Sequence, residues 1–241
     1  MQLGEARVPD GLRLYAVGDV HGCDDLLAIV HGKIAADLAA RPAVDHRIIH
    51  LGDYVDRGPD SAAVVERLSR LHGAGERVLC LRGNHEEMLL GFLADPVKGG
   101  LTFLDNGGLP TLASYGIALD PGYLSRSDLI VLARAFAAGL PVRHREFLES
   151  LPYSSRFGDF FLCHAGIRPG VPLERQDPFD LTWIREGFLD SNADFGVVVI
   201  HGHTPAPQPE VMANRINIDT GAVFSGRLTC LVLEGNQYRF L

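Results

Sequence analysis

The sequence predicts a single layered α/β domain over residues 1–241, and three features of the chain indicate it. A chain of 241 residues is long enough to bury one substantial core and short enough to remain one unit. Its first half alternates short apolar runs with amphipathic stretches, the pattern of β–α units in a sheet flanked by helices. Its C-terminal part returns to short apolar runs, which predict a second sheet.

Three β–α units are predicted in the first half. Leu12–Val17 is an apolar run typical of a strand, and the apolar residues after Gly22 recur on one helical face. Residues 47–51 and 77–81 predict the next two strands. A Pro-Asp-Ser segment at 59–61 predicts the start of the second helix, and the third helix should begin near Asn84.

The segment 96–151 differs from the first half and is predicted to be a helical insertion. It has few β-branched runs, and Ser125 with Asp128 forms a capping-box pattern before an apolar helical face. Residues 105–108, Asp-Asn-Gly-Gly, predict a tight turn. Four later strands are expected at residues 160–163, 197–200, 215–218 and 228–233.

Composition and charge exclude several classes of function. Thirty acidic against 22 basic residues give a formal charge of -8, which disfavours binding to nucleic acid or to an anionic membrane. The four cysteines are widely spaced without a CxxC pair, which predicts reduced thiols. The polar N-terminus lacks an apolar signal region and no run is long enough to span a bilayer, so we expect a cytoplasmic protein.

Polar residues that can bind metal follow five of the predicted strands. In open α/β sheets ligands collect beyond the carboxyl ends of the strands, so residues far apart in sequence should converge there. Carboxylate, amide and imidazole donors together suit Mn, Fe or Zn better than Ca or Mg, and the lack of cysteine disfavours a structural zinc site. The converging residues are Asp19, His21, Asp53, Asn84, His85, His164 and His203.

Glycine stands next to the ligands at four of these five strand ends, which lets the backbone turn sharply and lets an ion approach closely. The segments GDVHG, GDYVDRG, GNHE, HAG and HGHTP resemble, in order and approximate spacing, the motifs of calcineurin-like metallophosphoesterases. The resemblance extends from Gly18 to about Gly221, nearly the whole chain. It implies two packed mixed β-sheets flanked by helices, with a dimetal site at the carboxyl ends of the strands.

The resemblance also implies a role for each residue. One metal would be bound by Asp19 and His21, and Asp53 would bridge both metals, as suits a carboxylate with two oxygens. The implied cofactors are two divalent ions, for which we expect Mn, with Fe or Zn as alternatives. The second metal would be bound by Asn84, His164 and His203.

The implied reaction is attack on phosphorus by a hydroxide that bridges the metals. His85 resembles the general acid, and Asp56 resembles the carboxylate that orients it. Arg57, and Arg185 in the segment Trp-Ile-Arg-Glu, resemble the two arginines that clamp phosphoryl oxygens.

Two branches of the family fit the motifs. Asp56 and the Trp-Ile-Arg-Glu segment resemble bacterial and phage-type serine/threonine protein phosphatases, so we expect phosphorylated proteins or peptides, or small phosphoesters, as substrates. Hydrolases of diadenosine tetraphosphate instead have a segment similar to GDLVARG at that place, which lacks the acid corresponding to Asp56. The segments His-Ala-Gly-Ile at 164–167 and Asp-Thr-Gly at 219–221 are nevertheless similar to those hydrolases, which remain the alternative.

A third alternative is a binding or scaffold protein that keeps the fold without catalysis. Loss of activity usually removes some ligands, whereas every expected ligand, the acid and its partner are present here. The catalytic interpretation is therefore preferred.

Overall fold

The computed structural model describes residues 4–72, 75, 77–118 and 124–241, and these contain ten strands and nine α-helices. The strands are β1 Leu12–Val17, β2 Asp45–His50, β3 Val78–Cys80, β4 Ser154–Phe157, β5 Phe160–Cys163, β6 Val198–His201, β7 Glu210–Val211, β8 Arg215–Asn217, β9 Cys230–Glu234 and β10 Gln237–Phe240. The helices are α1 Asp24–Ala40, α2 Ser61–His72, α3 Asn84–Ala94, α4 Pro96–Phe103, α5 Leu109–Ser114, α6 Arg126–Gly139, α7 Val142–Ser150, α8 Pro178–Trp183 and α9 Ala222–Ser225.

The strands form two mixed five-stranded sheets, which confirms the predicted fold class. The first has the order β10-β9-β1-β2-β3, in which β1, β2 and β3 are parallel and β9 and β10 are antiparallel. The second has the order β4-β5-β6-β8-β7, in which β5, β6 and β8 are parallel. The parallel strands of each sheet therefore end at a common edge.

Alternate residues of the central strands pack on opposite faces, as the two-residue period of a strand requires. Leu14 and Ala16 of β1 pack with Phe160 and Leu162 of β5 in a core between the sheets. Tyr15, next to Leu14 in β1, belongs instead to the core beneath the flanking helices. A third cluster covers the outer face of the second sheet.

An ionic network ties α1 to the first sheet. The Asp37 carboxylate accepts hydrogen bonds from the Tyr15 hydroxyl at 2.7 Å and from Arg239 at 2.6 Å, and it also pairs with Arg13 and Arg41. Burial opposes the charge on Asp37, but the hydrogen bonds from Tyr15 and Arg239 outweigh it and lower the pKa to about 2. The helix is therefore held by a carboxylate that is charged at neutral pH.

The structure differs from the sequence-based prediction mainly at exposed edges. Strands β4, β7 and β10 were not predicted; they are edge strands whose partly exposed side chains give no continuous apolar run. Strand β2 begins at Asp45, two residues early, because its pairing with β1 starts there. Residues 105–108 form a kink between α4 and α5, in which Gly107 has a positive φ of 100°.

The segment predicted as an insertion, 96–151, contains α4 to α7, and part of it, residues 119–123, lies outside the described residues. The predicted capping box is present at the start of α6, where Ser125 and Asp128 bond to each other's backbone amides. Among the described helices, none is long and apolar enough to cross a membrane.

Candidate metal centre and active site

The predicted ligands meet at the carboxyl edge of the parallel strands. They lie in loops or helix starts that follow β1, β2, β3, β5 and β6, and each is buried. The structure thus brings together residues separated by up to 184 positions, as in the hydrogen bond from the His203 amide to Oδ2 of Asp19 at 2.9 Å. The ligand roles themselves remain predictions.

One group of donors surrounds the Asn84 side chain. Its Oδ1 lies 2.9 Å from Nε2 of His164 and 3.0 Å from Nδ1 of His203. Nε2 of His164 also lies 3.3 Å from Oδ1 of Asp53. The donor atoms of Asp53, His164 and His203 all fall within 4.8 Å of one another, which is close enough to surround one ion.

A second group lies on the other side of Asp53. Its Oδ2 is 3.4 Å from Nε2 of His21, while Oδ1 faces His164. One carboxylate therefore presents an oxygen to each group, the arrangement that a bridging ligand requires. Nδ1 of His21 donates to the Val55 carbonyl at 2.9 Å, which leaves the Nε2 lone pair for a metal.

The electrostatics of these groups fit two cations. Burial lowers the pKa of His21 to about 3 and that of His203 to about 2, so both imidazoles are neutral, as ligands must be. Burial and the neighbouring Asp219 raise the pKa of Asp19 well above its usual value. Burial opposes charge on His164, yet Asp53 and Asp19 raise its pKa to about 10. A metal cation at this place would balance the negative charges of Asp53 and Asp19, as the proton on His164 does without a metal.

Two further observations support the fit. Oδ1 of Asp19 and Nε2 of His203 are buried without a hydrogen-bond partner among the described residues. Glycines lie directly against the carboxylates: a Cβ at Gly83 would be 2.2 Å from Oδ1 of Asp53, and one at Gly202 would be 2.0 Å from Oδ1 of Asp19. The residues present therefore suit a pair of divalent ions.

His85 lies beside this cluster and is paired with Asp56. Nδ1 of His85 is 2.7 Å from Oδ2 of Asp56, and Nε2 is 3.9 Å from Oδ2 of Asp53. Burial opposes charge on the ring, but Asp53 and Asp56 outweigh it and raise the pKa of His85. Because its donor atoms also come close to Asp53 and His21, geometry alone permits a ligand role as well.

Arg57 faces the site directly. Its Nη1 lies 2.9 Å from Nε2 of His21 and its Nη2 lies 3.0 Å from Nε2 of His85. Its backbone amide donates to the Gly107 carbonyl at 2.9 Å, so the kink between α4 and α5 helps to position it. Arg185 is exposed and forms no ion pair with a described residue, but its charge adds to burial in lowering the pKa of His203.

Three residues of the site were not assigned a role from the sequence. Glu86 is fully buried and accepts hydrogen bonds from the amides of Asp53, Tyr54 and Gly83 at 2.7 to 2.9 Å. Glu86 occupies the third position of α3, where a capping box has its acidic residue. This pattern could have identified it from the sequence. Thr111 donates to Oδ1 of Asp56, and Asp219 lies near Asp19. Neither has a local sequence signal for these contacts.

The backbone at the site is unusual. Among the described residues, five that are not glycine have a positive φ, and all five belong to the predicted site. This conformation crowds the Cβ atom, so it persists only where surrounding structure enforces it. The residues are His21 at 44°, Asp53 at 52°, Asp56 at 71°, Arg57 at 70° and His203 at 67°.

Comparison with known proteins identifies relatives over nearly the whole chain. A family model described as calcineurin-like phosphoesterase matches residues 12–226. The chain is 27% identical over 234 residues to bis(5'-nucleosyl)-tetraphosphatase PrpE (asymmetrical) of Bacillus thuringiensis, covering 89% of this chain and 88% of the relative.

Solved structures share the fold. A provisionally assigned diadenosine tetraphosphatase superposes with a TM-score of 0.65 at 21% identity, covering 98% of this chain and 97% of the other. A cold-active protein-tyrosine phosphatase of a psychrophilic Shewanella superposes with a TM-score of 0.61 at 17% identity, covering 97% and 80%. At these identities the likeness concerns the fold alone.

Proposed function

This chain belongs to the calcineurin-like phosphoesterase family and is a metal-dependent hydrolase of phosphoric esters; from that premise we propose dinucleoside tetraphosphates as its leading substrates. The observation that carries the chemistry is the position of Asp53, which presents one oxygen to His21 and the other to His164. The name of the curated relative, which aligns over most of both chains, supports the choice of substrate.

In this proposal two divalent ions, when bound, supply Lewis acidity for the attacking water and for the phosphoryl oxygens. Asp19 and His21 would hold one ion, and Asp53, with one oxygen facing each group of donors, would contribute to both sites. Glu86 fixes the loop that carries Asp53 through the amides of Asp53 and Tyr54. The second ion would also be held by Asn84, His164 and His203.

His85 donates a proton from Nε2 to the departing oxygen. Asp56 accepts the hydrogen bond from Nδ1, which fixes the ring and stabilises the imidazolium form that carries a second proton on Nε2. Arg57 directs one N–H donor toward Nε2 of His21 and another toward Nε2 of His85. In this place the two donors can bind phosphoryl oxygens as negative charge develops. Arg185 extends this positive field toward His203.

Phosphoserine and phosphothreonine proteins are the second candidate substrate, and the His85–Asp56 pair is the observation that favours them. A serine alkoxide is a poor leaving group and needs a proton from such a pair, whereas a nucleotide phosphate leaves readily without one. The motif residues serve either substrate, because they act on the phosphoryl group that both share.

A parallel assay tests the proposal. Purified protein loaded with Mn is compared on diadenosine tetraphosphate, phosphoserine peptides and p-nitrophenyl phosphate, with kcat/KM as the readout. We expect the highest value for the dinucleotide. A higher kcat/KM for the peptides would move the assignment to a protein phosphatase, and background rates on all three would favour the non-catalytic alternative.

A further inference from the structure

Trp183 and Phe179 of α8 form a row of two aromatic side chains, here called the step, that extends outward from His203. The Trp183 ring meets the His203 ring edge-on, with centroids 6.1 Å apart and planes at 78°. Phe179, one helical turn earlier, stacks on Trp183 with centroids 6.1 Å apart and planes at 19°. Phe179 is 64% exposed, so most of its side chain is open to solvent.

The step is held firmly in place. The Leu181 carbonyl accepts a hydrogen bond from the amide of Ala165, the residue after His164, at 2.8 Å. Thr182 donates to Glu87 of α3 at 3.1 Å. Helix α8 is therefore fixed to the loop and to the helix that carry two of the proposed ligands, so the rings keep a constant distance from the metal centre.

The pocket beside Phe179 is lined by two arginines and by two aspartates, Asp177 and Asp180. Arg168 lines this pocket and is held by Asp180 through hydrogen bonds of 2.7 and 2.6 Å. Arg175 lines the same pocket and forms no ion pair with any residue in the described ranges. A flat ring on Phe179 would thus have a guanidinium nearby, and guanidinium groups stack well on aromatic faces.

We propose that Phe179, backed by Trp183, is a stacking site for a nucleobase of the substrate. This inference rests on the nucleotide substrate proposed above and adds a residue that selects it. An aromatic platform binds any base through its π-face, and the arginines beside it suit the phosphate-bearing remainder of a nucleotide. The step leads away from His203, so the base it holds belongs to the nucleotide at the distal end of the phosphate chain.

The chain offers a direct probe, because Trp183 is its only tryptophan. ATP and inorganic tripolyphosphate carry the same number of phosphates and differ by the nucleoside. Their Kd values for the metal-loaded protein are measured from the fluorescence of Trp183 by stopped flow, before any product accumulates. We expect the wild-type protein to bind ATP about fivefold or more tightly than tripolyphosphate.

Three variants separate stacking from other effects. Phe179→Leu keeps the apolar volume without the flat ring and should abolish most of the preference for ATP. Phe179→Tyr keeps the ring and should retain the preference. Phe224→Leu makes the same change at the other exposed phenylalanine, which has no ring contact in the described structure, and should leave both Kd values unchanged.

The proposal fails if wild-type protein binds both ligands equally, if Phe179→Leu keeps the preference, or if Phe224→Leu reduces it as much. These outcomes are independent of the proposed reaction. If diadenosine tetraphosphate is not hydrolysed but Phe179→Leu still removes the preference for ATP, the substrate assignment falls and the stacking site stands.

Discussion

Oδ2 of Asp56 lies 2.7 Å from Nδ1 of His85, and Oδ1 of the same carboxylate accepts a hydrogen bond from Thr111 at 2.7 Å. Asp56 and His85 follow two adjacent parallel strands, whereas Thr111 comes from α5 in the helical segment. The proposed proton donor is thus oriented by two separate parts of the chain, and both can be tested.

Replacement of His85 by Asn should depend on the leaving group. The loss in kcat on a phosphoserine peptide should be about 10²-fold to 10⁴-fold, the usual scale of acid catalysis, and much smaller on p-nitrophenyl phosphate. Asp56→Asn should show the same pattern more weakly. Metal content, measured by plasma mass spectrometry, should stay at the wild-type level; loss of an ion would identify His85 as a ligand instead.

Replacement of Thr111 by Val should leave Oδ1 of Asp56 without a partner. Removing such an orienting contact typically lowers activity about 10-fold to 100-fold, and we expect the lower end because the His85 contact remains. Thr111→Ser, which keeps the hydroxyl, is the matched control. Equal kcat/KM for the Val and Ser variants on a phosphoserine peptide would show that the helical segment does not act through Asp56.

Asp53→Asn should be the most damaging change among the ligands, because it weakens both groups of donors at once. We expect loss of both Mn ions after reconstitution and dialysis, whereas Asp45→Asn at the start of β2 should bind metal normally. Two ions retained by Asp53→Asn would contradict the bridging assignment.

Removal of metal should abolish turnover of p-nitrophenyl phosphate. In the described site no Ser, Cys or Lys is paired with a base that could make it a nucleophile. Dialysis against a chelator should stop the reaction, and added Mn should restore it. Full activity in a sample verified as free of metal would rule out the proposed mechanism.

Asp37 should make the free energy of unfolding depend on pH under acidic conditions. Its pKa of about 2 lies below the usual value of 3.8, so its contribution is complete above about pH 4 and is lost as the pH falls toward 2. The difference corresponds to about 2 kcal/mol of unfolding free energy. In urea unfolding, Asp37→Asn should be less stable than wild type at pH 7, and the gap should narrow at pH 3; a constant gap would contradict this account.

Sequence alone predicted most of the fold and the convergence of the proposed ligand residues for a clear physical reason. Strands such as β1 are apolar on both faces, and the glycines beside Asp19 and Asp53 are required by close contacts that leave no room for a Cβ. Thr111 gave no such signal, because its contact with Asp56 spans 55 residues and depends on how α5 packs.

The choice of substrate was harder to predict. The residues in the motifs are the ones proposed to bind the metals and the phosphoryl group, and the phosphoryl group is common to all the candidate substrates. Asp56 favoured phosphoproteins, while the curated relative favours dinucleotides. Selectivity depends on residues that contact the rest of the substrate, such as Phe179, and these stand outside the motifs.

The left-handed residues of the site have a consequence for protein engineering. Glycine adopts a positive φ without crowding, whereas each of the other residues costs roughly 1–2 kcal/mol there. A screen for heat resistance would therefore reward glycine at Asp53, Arg57 or His203, which are among the residues proposed to bind metal or substrate. Thermal tolerance and turnover should be opposed at these positions, and selection for the first without an assay for the second should yield robust but inert variants.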